Sequence, residues 1–168
     1  EEVTTAGQLS EAMRPLSDLL GRWEVTPIQQ GPEGEWVERP TTLLEVEPVL
    51  GGKFLREEGE LDLAAGRLEA EMLIGWDPFQ EVYRVAWNDS LAGLADIYEG
   101  QIIDRVLVID NLESGTFWRT PDGVRFAFRL EIELDVVDDE RRARVYASDD
   151  GGESWSKFQT TLYRRAGS

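Results

Sequence analysis

Two residue types are missing altogether from this chain: it has no cysteine and no histidine. Without cysteine there are no disulfides, no thiolate metal sites and no sulfur nucleophile. Without histidine the commonest general base, metal ligand and haem ligand is gone as well. Chemistry here would have to run on carboxylates, Tyr, Arg, Lys or Ser. Lysine occurs only as Lys53 and Lys157, the other basic residues being arginine. Positive charge as a whole is in deficit: the formal net charge is −17. That repels the phosphates of nucleic acid and the anionic face of a membrane, so neither is an expected partner. No run approaches the roughly 18 apolar residues of a bilayer-spanning helix, and no membrane span is expected. The chain opens on Glu1 instead of Met. A removed export signal is one explanation, and it favours a periplasmic or secreted location over the cytoplasm.

With 41% apolar residues, the chain has the composition of one folded domain over residues 1–168, with 1–14 as a lid or tail. Leu9, Met13, Leu16 and Leu20 recur at helical spacing. Pro15 interrupts that stripe, which predicts two short turns or a frayed helix over one end of the fold. Gly21 is expected to end it in a left-handed conformation.

From Arg22 onward the period changes to two. Phe126, Phe128, Leu130, Ile132, Leu134 and Val136 alternate with Arg125, Arg129, Glu131, Glu133 and Asp135, which gives one oily face and one wet one. Strands are predicted at 22–28, 35–47, 53–62, 67–76, 80–88, 93–101, 104–110, 115–120, 124–136, 141–148 and 156–165. Turn residues separate them, as in Gly51-Gly52, Asp77-Pro78 and Pro121-Asp122-Gly123. No helix of crossover length intervenes, so the pairing is antiparallel. The predicted fold is all-β: an up-and-down barrel of about eight to ten strands with a short N-terminal helix closing one end. A two-sheet sandwich would bury the same faces and stays open at this point.

Six stretches carry a family resemblance: Leu20-Gly21-Arg22-Trp23, Glu47-Pro48-Val49-Leu50-Gly51-Gly52-Lys53-Phe54, Gly75-Trp76-Asp77-Pro78, Trp87-Asn88-Asp89-Ser90, Tyr98-Glu99-Gly100 and Tyr163-Arg164-Arg165. In order and spacing they resemble the calycins, the lipocalin-like and fatty-acid-binding-like barrels. More narrowly they resemble a bacterial group of such barrels known only as a domain of unknown function. The resemblance implies a barrel with an Arg of the last strand, Arg164 or Arg165, over the Trp23 ring, a contact worth roughly 0.5–2 kcal/mol. That group usually has Tyr where this chain has Trp76, a conservative departure. Related barrels that hold haem usually do so through His, which is missing here, so no cofactor is expected.

The run Ser148-Asp149-Asp150-Gly151-Gly152-Glu153-Ser154-Trp155 fits the Asp box of sialidases and other secreted β-proteins. Its expected role is to stabilise a hairpin turn, because a sialidase propeller needs at least twice this length. The acidic patches 135–140 and 149–153 lack the ligand spacing of a calcium loop and read as solvated turns. No metal site and no catalytic residue is expected.

The aromatics carry more information. Trp87, Tyr98, Phe117, Trp118, Phe128 and Tyr146 fall in strands of the second half and are the candidates to line a lumen. Arg84 joins them as a group able to grip a polar end, although its strand leaves its face ambiguous and Arg129 reads as outward. The expected function is non-enzymatic binding of a small, largely apolar molecule inside the barrel. The alternatives are a filled barrel acting through its surface and a cofactor-free lyase or isomerase of the calycin type.

Overall fold

Alternating apolar and charged side chains carry the chain through twelve strands, and the ladder they build closes on itself. The computed structural model describes residues 8–167; the part of the expected lid at 1–7 lies outside them. The strands are β1 (Gly21–Gln30), β2 (Trp36–Glu38), β3 (Thr42–Val49), β4 (Phe54–Leu63), β5 (Gly66–Asp77), β6 (Val82–Asp89), β7 (Ala95–Ile103), β8 (Val106–Asp110), β9 (Trp118–Arg119), β10 (Arg125–Glu133), β11 (Glu140–Ser148) and β12 (Ser156–Arg165). Ten of them form a closed antiparallel ring in which neighbours in sequence are neighbours in space, and β12 returns to pair with β1. The architecture is therefore the barrel and not the sandwich. β2 and β9 are short additions paired to β1 and β10.

Two predicted strands differ from the observed ones. The stretch 35–47 is divided into β2 and β3 by Arg39-Pro40-Thr41, where Pro40 has no N–H to donate to a ladder. The stretch 115–120 shrinks to the two residues of β9. Here side chains take over the backbone's partners: Ser114 donates to the Ile97 carbonyl at 2.6 Å, and Thr116 accepts from the Ile97 N–H at 3.1 Å. Such local bonds compete with strand pairing.

From Glu11 to Leu19 the chain forms one continuous 3-10 helix that runs through Pro15. The expectation that Pro15 leaves two short turns or a frayed helix is corrected accordingly for these residues. With three residues per turn, Met13, Leu16 and Leu19 share one face, and all three are buried in the mouth of the barrel. Polar bonds pin the helix there. Ser10 donates to the Gly52 carbonyl at 2.9 Å, Tyr83 to the Ala12 carbonyl at 2.6 Å, and Arg105 to the Pro15 carbonyl at 3.1 Å. Gly21 does not cap the helix. It sits at the start of β1 with φ +125°, where the Arg165 guanidinium would lie 3.1 Å from an added Cβ.

The closing hairpin, β11 to β12, turns through the Asp box. Asp150 accepts from the Ser148 hydroxyl at 2.6 Å and from the Ser154 N–H at 2.9 Å, and these bonds hold its carboxyl down to about 2. The motif thus stabilises a turn, as expected.

Candidate functional site

Every strand of the closed ring turns one face toward the barrel interior. At the end covered by the helix, Trp23 of β1 is fully buried and donates to the Leu19 carbonyl at 2.8 Å. Two guanidiniums lie on its ring, those of Arg165 and Arg141, each 4.5 Å from the centroid. Arg165 thus fills the role expected for Arg164 or Arg165. Arg164 faces outward and pairs with Glu140 at 2.7 Å.

Arg141 is the inward-facing residue that sequence reasoning missed. It lies among Arg142 and Arg144, a run easily read as a solvated face. The signal was the alternation Arg141, Ala143, Val145, Ala147, and its pairing with the inward Ile132 and Leu130 turns this whole set toward the axis. The Arg141 guanidinium stacks 3.8 Å from the Tyr163 ring centroid. Its Nη2 stands 4.0 Å from Glu57 Oε2, while the Tyr163 hydroxyl donates to Glu57 Oε1 at 3.0 Å. Burial raises the Glu57 carboxyl, and the Arg141 charge pulls it partly back. Burial lowers the Arg141 guanidinium and pushes the Tyr163 phenol well up. Arg141 Nε and Nη2 have no hydrogen-bond partner among the described residues.

Nearer the far end a second polar group ties loop to wall. Tyr98 donates to Asp96 Oδ2 at 2.7 Å, and Asn111 donates to Asp96 Oδ1 at 3.1 Å. The Asn111 side-chain oxygen accepts the Phe128 N–H at 2.8 Å. Burial, with Asp96 beside it, drives the Tyr98 phenol far above its ordinary range. These groups satisfy one another, so their evident role is structural. Between the two polar clusters the wall is apolar: Ala70, Trp87, Phe128 and Leu130 face inward and are half-buried.

Of the residues expected to line the lumen, the structure brings Trp87, Tyr98 and Phe128 to the interior. Phe117 is half-buried in the loop before β9. Three expectations of an inward position are corrected. Tyr146 pairs in register with Arg129 and so shares the outer face, where its hydroxyl donates to Glu131 at 3.1 Å. Trp118 is 48% exposed because β9 lies outside the closed ring, with its ring against Phe126. Arg84 pairs across from Gly75 and Glu99 on the outer face, where it bridges Asp77 and Glu99. Arg129 is outward, as read.

The outer surface carries a groove of about 600 Å³ over β3, β4, β5 and β6, walled by Glu45, Glu58, Glu60, Glu69 and Glu71. Among the described residues no group of three acidic side chains is arranged to hold a metal ion. The inward faces of the strands are thus aromatic and aliphatic, with one buried cation, Arg141, beside one buried carboxylate, Glu57. A search of curated proteins finds no match to this chain. Residues 9–165, nearly the whole barrel with its helix, match the family model described as "Protein of unknown function (DUF1579)", and the chain belongs to that family.

Proposed function

We propose that this barrel binds a small, largely apolar molecule in its interior and leaves it chemically unchanged. The observation that carries this reading is the half-burial of Trp87, Phe128 and Leu130, which face the axis of a closed barrel. Inward side chains that keep accessible surface border space that another group can enter, and walls of this composition suit an apolar guest. Kinship with the calycins is part of the same reading, supported by the Gly21-x-Trp23 corner under Arg165.

The test is a titration of intrinsic tryptophan fluorescence with fatty alcohols, retinoids and flavonoids, alongside native mass spectrometry of freshly purified protein. A saturable change that weakens in Trp87→Ala supports lumen binding. A bare mass and a flat signal with every probe would defeat it.

A second reading, action through the outer surface, draws on the plugged end. There the turns carry exposed apolar residues, Leu50, Phe79, Ile103 and Val137, with Phe79 90% exposed. If Phe79→Ser abolishes a partner's binding while the fluorescence titration stays flat, this reading replaces the first.

A further inference from the structure

We propose that the molecule held in the lumen carries a neutral oxygen function, a hydroxyl or a carbonyl, at the end that enters first, and that this oxygen docks on the free edge of Arg141. The inference rests on the lumen-binding reading and adds the chemistry of the ligand's head.

Arg141 is 2% exposed, and its unpartnered atoms are Nε and Nη2. The hydrogens of these two nitrogens point the same way and form a planar fork of donors. The Tyr163 and Trp23 rings, close to perpendicular to each other, pack on the guanidinium from two directions, and the fork is the part that lacks a polar partner. Buried donors are ordinarily paired, and two unpaired donors on one edge mark a place where an acceptor belongs. Glu57 does not fill it. Its Oε2 is 4.0 Å from Nη2, beyond hydrogen-bond length, and its Oε1 is engaged by Tyr163. The fork itself is shut off from solvent, so an entering oxygen has to part the side chains packed over it; the Glu57 side chain beside it keeps 8% of its surface accessible.

Charge selects the head. Glu57 already balances Arg141 within this buried cluster. Arg165, the other cation on Trp23, donates to the Leu20 and Asp18 carbonyls and lies 3.8 Å from Asp139. A ligand carboxylate in the fork would place a second buried anion beside Glu57, with desolvation to overcome and no free cation to meet it. A neutral oxygen accepts from the fork without adding charge, and a hydroxyl can also donate to Glu57. From Arg141 the inward face of β11 runs on through Ala143 and Val145, about 13 Å of strand at ~3.3 Å per residue, opposite Leu130. An extended alkyl tail fits that track.

The test uses the full chain and three probes that share one tail: 1-decanol, decane and decanoate. They are titrated by tryptophan fluorescence at mildly alkaline pH, where decanoate is ionised. Decanol is expected to bind about tenfold or more tighter than either of the others, the worth of a donor pair engaged or left bare. Arg141→Met should erase the advantage of decanol over decane. Glu57→Gln removes the competing anion and should raise decanoate to the affinity of decanol. Equal affinities for decanol and decane would overturn the proposal and leave lumen binding standing. Decanoate binding tightest to the native chain would overturn the neutral head. Binding of none of the three would bring down the lumen reading and this inference with it. If Arg141→Met does not fold, Glu57→Gln decides: an unchanged ranking of the three probes counts against the proposal.

Discussion

At the end of the barrel under the 3-10 helix, Met13, Leu16, Leu55, Val85 and Leu134 have lost all contact with solvent; toward the other end Trp87, Phe128 and Leu130 face the same axis and keep some. The strands at the two ends obey the same period-two pattern, so the pattern is not what separates them. The difference is what fills the axis. At one end a separate element inserts three apolar side chains and is tied down by Ser10, Tyr83 and Arg105. At the other, loops arch over the rim, and the one between β8 and β9 is stitched by its own polar side chains through Asn111 and Thr116. A closed ring of strands thus specifies a wall, and the plug decides which part of that wall becomes core.

Replacing one Trp at each end gives the largest contrast. Trp23→Ala is expected to destabilise the protein by about 3–5 kcal/mol, since a fully packed ring leaves a cavity and two stacked guanidiniums lose their partner. Trp87→Ala removes a half-buried ring and is expected to cost less than about 2 kcal/mol. Urea unfolding of the two variants measures both, and equal losses would mean that the two ends are packed alike.

Next comes the seat of the plug. Gly52 has φ +77°, and an added Cβ would lie 1.8 Å from the Gln8 carbonyl oxygen. Gly52→Ala is therefore expected to cost about 1–3 kcal/mol from backbone strain, with displacement of the helix on top. Gly51 has a similar φ of +71° with nothing near its Cβ, so Gly51→Ala should cost less. Limited proteolysis near the helix separates the two, because only the Gly52 variant is expected to expose it. Smaller again is Tyr83→Phe, which deletes one bond to the Ala12 carbonyl and is expected to lower stability by about 0.5–1.5 kcal/mol in thermal melts.

The wall was legible in the sequence because it is written in a local code. Alternation along Phe128-Arg129-Leu130-Glu131-Ile132 needs no partner to be read, and the turns at Gly51-Gly52 and Asp77-Pro78 fall where the register demands them. The candidate site was legible only in part, because what enters the lumen depends on pairings between distant strands. Tyr146 sits in the apolar run Val145-Tyr146-Ala147, and only its register against Arg129 turns it outward. Arg141 was hidden for the converse reason: charge predicts a surface, whereas its alternation with Ala143 and Val145 draws it inside, where Trp23, Tyr163 and Glu57 receive it. Several glycines of the family motifs answer to contacts that no local pattern reveals. Gly75 makes room for the Phe54 ring, and at Gly100 a Cβ would fall 1.8 Å from the Val108 carbonyl oxygen.

The smallest effects sharpen the same contrast through pH, because the two regions shift a carboxyl in opposite directions. Glu57, deep in the barrel, is raised above the ordinary carboxyl value of 4.5, chiefly by burial. Between its ordinary value and the raised one the folded chain binds more proton than the unfolded chain, so this contribution to stability is present at low pH and lost as pH rises through that interval. Asp150, in the exposed hairpin turn, is lowered from 3.8 to about 2 by bonds from Ser148 and Ser154. There the unfolded chain binds more proton, so the contribution is present above the ordinary value and lost as pH falls toward 2. Measured against the native chain in unfolding curves across pH, Glu57→Gln is expected to flatten only the decline on the less acidic side. Asp150→Asn should flatten only the acid limb, and by less, because its bonds are open to water. If both substitutions altered the same limb, the assignment of one carboxyl to the sealed interior and the other to a solvated turn would be wrong.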